Sequence, residues 1–327
     1  MSESPESADA DASELPAPKR GVAAWRLPIV LFLLTVISTL WVGAQMNGVE
    51  APGIADLWRG WNFSLPLMAI LLAHEMGHYV AGRIHGVAVS PPHFIPLPFS
   101  LLGTMGAVIS MSGRIRSRDA LLDVGASGPI AGMVLALPLL IYGVHESPVE
   151  PLDMSQPILL EGHSLLYEAV LFALKGPFPP GHDITLTPTA LAAWAGLFVT
   201  MLNLLPFGQL DGGHISYALV GPRQDRISRR MVRLLPLLAL GVSAFYGLRS
   251  YLAGEHASVI EGNAYAGVPW LVWGVLLLLM ARYSGYEHPP TDDDTLSPGR
   301  RAVAIGCVVL FALLFMPAML RSFDGSQ

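Results

Sequence analysis

The chain has 327 residues, of which 52% are hydrophobic and only 13% charged. An average soluble domain carries about 25% charged residues, so an ordinary water-soluble globule is excluded and a polytopic membrane protein is expected. The formal net charge of -6 comes mainly from a tail and two loops, and no basic patch with interleaved aromatics points to a nucleic-acid partner.

Residues 1–20 are rich in Ser, Glu, Asp, Ala and Pro and read as a disordered acidic tail, because they cannot bury enough apolar surface to order themselves. No basic region or small-residue cleavage site frames a short apolar core there, and the acidity argues against an organelle transit peptide. Residues 21–327 then read as one membrane-embedded domain. A bilayer-crossing helix needs about 20 apolar residues. Stretches free of Lys, Arg, Asp and Glu predict about seven spans, at 27–47, 61–82, 122–144, 186–206, 234–252, 265–282 and 302–320. The apolar stretches 164–174 and 212–220 are too short to cross and are expected to lie at the interface or to re-enter. A cytoplasmic N-terminus places 15 of the 19 Lys and Arg residues inside, so the positive-inside rule predicts that orientation, with the C-terminus outside.

Span two carries the pentad His74-Glu75-Met76-Gly77-His78 after an uncharged lead-in that starts at Trp61. Residues i and i+4 share a helix face, so both imidazoles can reach one ion, with Glu75 beside them as a candidate general base. Ionisable groups at membrane depth carry a desolvation cost that ion binding or proton handling explains; a polar contact between helices is the bland alternative.

Residues 84–113 contain Pro91, Pro92, Pro96 and Pro98, which forbid a continuous helix. Short strands are expected at 86–90, 94–97 and 107–112, forming a small membrane-associated β region on the cytoplasmic side of an otherwise all-α protein. Non-helical backbone at membrane depth must be buried in protein or line a wet cavity. A strand edge beside the histidine helix is therefore a candidate dock for an extended peptide; the alternative is an amphipathic surface loop. His93 falls in this region as a strand residue at the interface. Gly128 and Gly132 of span three make a small-xxx-small face for close packing, most simply against span two. Residues 145–185 form an acidic outer loop whose His145, His163 and His182 are too scattered for a site and read as surface histidines. Cys307, the single cysteine, excludes an internal disulfide and reads as a small buried hydrophobe.

A catalytic zinc usually takes three protein ligands and keeps a position for water, so a second segment must supply one more donor. Residues 184–210, 27 in all, contain no acid or base, and then Asp211 follows. A carboxylate stranded in that way needs a cation, and His74 and His78 face the same leaflet. Two neutral imidazoles and one carboxylate leave a zinc site at about +1, which a bound hydroxide would neutralise. Pro206 breaks the helix to bring Asp211 round, and Gly212 and Gly213 let backbone come close to the metal.

Three motifs in this order, the 74–78 pentad, Gly103-Thr104-Met105-Gly106-Ala107, and Asn203 with Pro206 and Leu210-Asp211-Gly212, resemble the site-2 protease family of intramembrane zinc metalloproteases. The resemblance covers about residues 60–220, the catalytic core, and continues more weakly to the C-terminus. It implies one Zn2+ per chain held by His74, His78 and Asp211, Glu75 as catalytic base, and Asn203 as a polar group near the scissile carbonyl. Gly103, Gly106 and Ala107 would belong to a membrane-associated strand that engages substrate, and His214 follows the aspartate motif closely enough to support the ligands. The expected substrates are single-span membrane proteins cut in or beside their transmembrane segments, in regulated intramembrane proteolysis or in membrane-protein turnover. The expected setting is the lipid bilayer of the cell (inner) membrane. Many members carry a PDZ domain in the loop before the aspartate helix, for which 145–185 is too short, and no soluble regulatory domain is expected after span seven. A zinc transporter and a silent relative that binds membrane partners are the competing classes; retention of Glu75 beside His74 argues against the first and the complete ligand set against the second.

Overall fold

The structure is a computed structural model and describes residues 24–112, 115–151, 158–286, 288–292 and 295–323. The predicted tail at 1–20 lies outside the described residues. Helix α1 (Arg26–Met46) is a nearly continuous Leu, Ile, Val and Phe run that ends where the Asn47 side chain donates to Gly43 O at 2.8 Å. A 3-10 turn, Ile54–Gly60, leads into α2 (Trp61–Ile84), whose interior Pro66 lies two turns before the histidine pentad. Four short strands follow, β1 (Ala88–Val89), β2 (His93–Pro96), β3 (Thr104–Val108) and β4 (Met111–Ser112). The Ser117 hydroxyl accepts from Ala120 N and starts α3 (Arg118–Glu146).

Beyond α3 come β5 (Val149–Pro151), β6 (Ile158–Glu161), α4 (Leu165–Lys175) and β7 (His182–Ile184). Thr187 caps α5 (Pro188–Asn203), which begins on the proline favoured at a first helical position. The chain then forms α6 (Asp211–Val220), α7 (Gln224–Ala253), α8 (Ala257–Ala264), α9 (Val268–Ser284), α10 (Pro298–Leu314) and β8 (Leu320–Phe323).

Every predicted span overlaps a helix, namely α1, α2, α3, α5, α7, α9 and α10. Among the described residues, four helical stretches are long and apolar enough to cross a membrane: Arg26–Met46, Arg118–Glu146, Asp211–Ala253 and Ala257–Tyr283. The boundaries differ where local chemistry overrides apolarity. Span four stops at Asn203 because residues 204–210 turn back, and span seven stops at Leu314 because Pro317 follows. The short stretches 164–174 and 212–220 became α4 and α6.

The packing centre is α3. Small residues bring α2 against it: a Cβ on Gly77 would lie 2.5 Å from Ser127 O, so the two backbones nearly touch. Phe63, Leu67, Ile70 and Leu71 of α2 are buried with Leu140 of α3 and Leu197 and Met201 of α5. Short strands form within residues 84–113. β2 and β3 pair as an antiparallel hairpin, His93 opposite Val108 and Phe94 opposite Ala107, with β1 and β4 paired behind it. The hairpin lies along α1. At its turn Gly103 has φ +73°, a Cβ there would sit 2.9 Å from Ser38 O, and the Ser38 hydroxyl donates to Gly103 O at 2.5 Å. Ser38 is 12 residues beyond Arg26, or about 18 Å at the helical rise, so the turn packs beside the middle of α1. At the far end of α3, β5 pairs with β7 and β6 with β8, so described parts of the 145–185 loop form short strands.

Candidate metal centre

His74 and His78 stand one turn apart on α2, with ring centroids 5.0 Å apart, and α6 presents Asp211 to both. His74 Nε2 is 3.1 Å from Asp211 Oδ2 and His78 Nε2 is 3.2 Å from Asp211 Oδ1. Zinc bonds of about 2.0–2.1 Å at the tetrahedral angle put ligand atoms about 3.3 Å apart; each histidine is near that distance from one Asp211 oxygen, and one ligand atom from each of the three residues lies within 4.8 Å of the others. They are the one group of three or more His, Cys, Asp or Glu donors, among the described residues, gathered as a metal would need them.

Hydrogen bonding settles what the donors present. His78 Nδ1 lies 2.7 Å from Val124 O, and a carbonyl only accepts, so Nδ1 carries the hydrogen. In the neutral ring Nε2 then directs its lone pair at the Asp211 carboxylate. A proton on Nε2 would make this an imidazolium–carboxylate pair, and a divalent metal ion between the groups fits the same donor set. The donor chemistry, two imidazoles and a carboxylate with a carbonyl orienting one ring, suits zinc.

The local sequence explains how the donors converge. Pro206 and the turn at 207–210 end the α5 path and restart the chain as α6, with Asp211 as its first residue. A Cβ on Gly212 would lie 2.0 Å from Leu204 O and one on Gly213 2.2 Å from Gly208 O, so this tight reversal needs both glycines. Gly128 and Gly132, which the sequence marked for packing alone, border the ligands themselves. A Cβ at Gly128 would fall 2.0 Å from His78 Nε2 and one at Gly132 3.3 Å from His74 Nδ1. The small-xxx-small face therefore opens the space in which the imidazoles stand.

The other predicted residues fall into three groups. Asn203 joins the centre, its Nδ2 lying 3.3 Å from His74 Nε2, and Glu75 is buried at 7% exposure next to His74 on the same helix. His214, one turn beyond Asp211, is buried against α3 and pairs with His288 rather than with the ligands. Gly103, Gly106 and Ala107 lie in the hairpin beside α1 and α2, away from the donor cluster, and His93 is in β2. Sequence reasoning missed Val124, whose contribution is a carbonyl and has no side-chain signature. It also missed His288, 74 residues from its partner, and an outer clamp in which Arg300 of α10 contacts Asp123 at 2.6 Å and Asp119 at 3.1 Å while His85 Nε2 meets Asp123 at 2.8 Å.

A helical membrane protein whose buried His-His-Asp cluster adjoins a glutamate has the makings of a metal-dependent hydrolase. The comparisons with known proteins agree: residues 62–242 match the model of peptidase family M50, and the chain belongs to that family, the site-2 proteases. It is similar to the probable zinc metalloprotease EGY2, chloroplastic, of Oryza sativa subsp. indica, at 28% identity over 267 residues, covering 81% of this chain and 44% of the relative. Against EGY1 of Arabidopsis thaliana the identity is 28% over 318 residues, covering 89% and 53%; against EGY1 of Oryza sativa subsp. japonica it is 31% over 320 residues, covering 89% and 50%. The chain thus spans about half the length of the curated relatives it matches. No solved structure matches it significantly.

Proposed function

We propose that the chain is an intramembrane zinc metalloprotease that hydrolyses peptide bonds in or near the transmembrane segments of single-span membrane proteins. The observation that carries this reading is the convergence of His74, His78 and Asp211 at ligand spacing with Glu75 adjoining them on α2. The relatives' printed names, zinc metalloproteases, support it. In the same reading the seven apolar helices all cross the bilayer of the cell (inner) membrane, with the N-terminus cytoplasmic, as the Lys and Arg bias suggests.

Each residue has a chemical task. His74, His78 and Asp211 would hold one zinc, which would supply a water of pKa about 7 and a Lewis acid for the scissile carbonyl. Glu75 takes the proton of the attacking water and passes it to the leaving amine. Asn203 stands against the metal-facing nitrogen of His74, so its amide can donate to the oxyanion, an effect worth about 3 kcal/mol where such donors have been removed elsewhere. A helical substrate hides its carbonyls in its own hydrogen bonds and must unwind locally. Among the described residues β3 pairs with β2 alone, and its Met105 and Val108 are exposed, which supports strand addition by the unwound segment at its other edge. Gly103, Gly106 and Ala107 shape that edge.

The test is cleavage of a co-reconstituted panel of single-span substrates by the purified protein, run beside Glu75→Gln and with zinc removed and restored. Loss of cleavage in both controls, with zinc content kept in Glu75→Gln, is the expected result. Cleavage that survives Glu75→Gln would refute the mechanism, and tight zinc binding without cleavage of any substrate would favour a binding or transport role.

A further inference from the structure

The linker between α9 and α10 reaches back over the metal-bearing end of the molecule. Tyr286 meets Phe207 edge to face with ring centroids 6.0 Å apart, and the Arg229 guanidinium lies 5.9 Å over the Tyr286 ring. His288 is buried at 7% exposure. Its ring stacks on Tyr217 at 4.4 Å, its backbone N–H donates to Asp225 Oδ1 at 3.2 Å, and its Nε2 lies 2.7 Å from His214 Nδ1. Further along, Asp292 N–H donates to Arg116 O at 2.7 Å and Ser297 N–H to Asp119 Oδ1 at 2.9 Å, so the linker is tied to α3 as well. Phe207 and Tyr217 lie on either side of Asp211 in the chain.

The direction of the histidine pair follows from its surroundings. His288 Nδ1 is 2.7 Å from the Pro289 carbonyl, which only accepts, so Nδ1 carries the hydrogen. Burial holds the His288 imidazole below its ordinary pKa, against the opposing pull of the Pro289 carbonyl and Asp225, so the ring is neutral at pH 7. Its Nε2 is then an acceptor, and His214 Nδ1 must be the donor. His214 in turn is pressed onto α3, where a Cβ on Gly125 would lie 2.8 Å from His214 Cβ and 3.3 Å from Asp211 O. Its remaining Nε2 is buried without a hydrogen-bond partner among the described residues, so the bond to His288 is the polar contact that fixes this ring.

We propose that His288 is a positioning residue of the metal centre: by accepting the His214 Nδ1–H it locks α6 against α3 and thereby holds Asp211 at ligand distance from His74 and His78. This rests on the zinc reading above. It assigns a part in the centre to a residue beyond the 62–242 match with the family.

The experiment is zinc affinity by chelator competition, on the full chain in detergent, for the wild type, His288→Leu, His288→Gln, His214→Leu and the Leu double variant. Direct hydrogen-bond partners of metal ligands are worth about 10–100-fold in affinity; acting one residue further out, each Leu variant should weaken zinc binding by about the lower end of that range. The double variant should be no worse than the poorer single, since both remove one bond. His288→Gln, whose side-chain carbonyl can accept from His214, should recover most of the loss, and the Co2+ absorption spectrum should be perturbed in the Leu variants and restored in Gln. A plain packing role predicts no such rescue. Wild-type affinity in His288→Leu, additive losses, or a Gln variant as poor as Leu would overturn the proposal while the wild type still binds zinc. A wild type that binds no zinc would instead overturn the protease reading beneath it.

Discussion

The two ends of α3 are built from the same kinds of residue and do opposite things with them. Near its N-terminal end, His74, His78 and Asp211 converge on one point. Near its C-terminal end, Glu161, His163, Glu168, Arg249, Glu255 and Arg321 line a cavity of about 340 Å3. There His163 Nδ1 meets Glu168 Oε1 at 2.6 Å with Glu161 4.0 Å from the other nitrogen, the Tyr167 hydroxyl donates to Glu161 at 2.6 Å, and Arg321 lies 5.2 Å over the Tyr246 ring. His163 is shared by two carboxylates, Glu255 accepts from the Ser250 hydroxyl, and the side chains come from α4, α7, β6, β8 and the loops between elements, with His163 and Glu168 partly exposed. At the metal end the donors stand on two helices, a backbone carbonyl fixes one ring, and a single carboxylate faces two imidazoles. Residue type alone does not make a site; a shared target, enforced by burial and orientation, does.

The largest effect that would test this contrast is on chemistry. Glu75→Gln keeps size and burial and removes the base, so cleavage should fall by about 10²–10⁴-fold while zinc stays bound, measured by turnover of a reconstituted substrate and by metal content. An unaffected rate would mean that Glu75 is a structural acid and not the base.

A step smaller, the glycine face of α3 can be graded. Gly128→Ala puts a methyl 2.0 Å from His78 Nε2, the ligand atom, and should abolish zinc binding in a protein that still folds as a helical bundle by circular dichroism. Gly132→Ala places its methyl 3.3 Å from His74 Nδ1, a distance that a few tenths of an ångström of movement relieves, and should weaken zinc by about tenfold. Equal losses at the two positions would mean that α3 supports the ligands by general packing.

Much of this was legible in the sequence because it is local or carries a large penalty. The i, i+4 histidines, the carboxylate isolated after 27 uncharged residues, and prolines that interrupt an apolar stretch each follow from one-dimensional spacing. Gly128 and Gly132 were legible as small residues but not as neighbours of the ligands, since the choice of facing residue depends on the rotation of α3 against α2. Val124 and His288 were not legible at all: one acts through its carbonyl and the other through a contact spanning 74 residues. The strands β5 to β8 were hidden because their pairing joins the 145–185 loop to itself and to the far C-terminal end of the chain.

Acid should discriminate between the ends in a milder way. His288 faces His214, Tyr217 and Asp225, and its pKa is lowered on folding. The unfolded chain therefore binds more protons than the folded one as pH falls from about 6.5, and this residue's contribution to stability is lost over that range. Thermal unfolding of the zinc-free protein should show a shallower loss between pH 7 and pH 5 in His288→Gln than in the wild type. Equal slopes would mean that the linker histidine does not titrate with folding.

The smallest effect belongs to His163→Ala. The ring is 31% exposed and its partner Glu168 57% exposed, so the pair is screened by water and by salt. Exposed ion pairs contribute about 0–1 kcal/mol, and stability should change within that range. Zinc affinity and cleavage should not change, because the metal donors are oriented by α2, α3 and α6 without help from the far end. A tenfold loss of cleavage in His163→Ala, with zinc binding intact, would show that the polar cavity communicates with the metal centre along α3, and the separation drawn between the two ends would have to be given up.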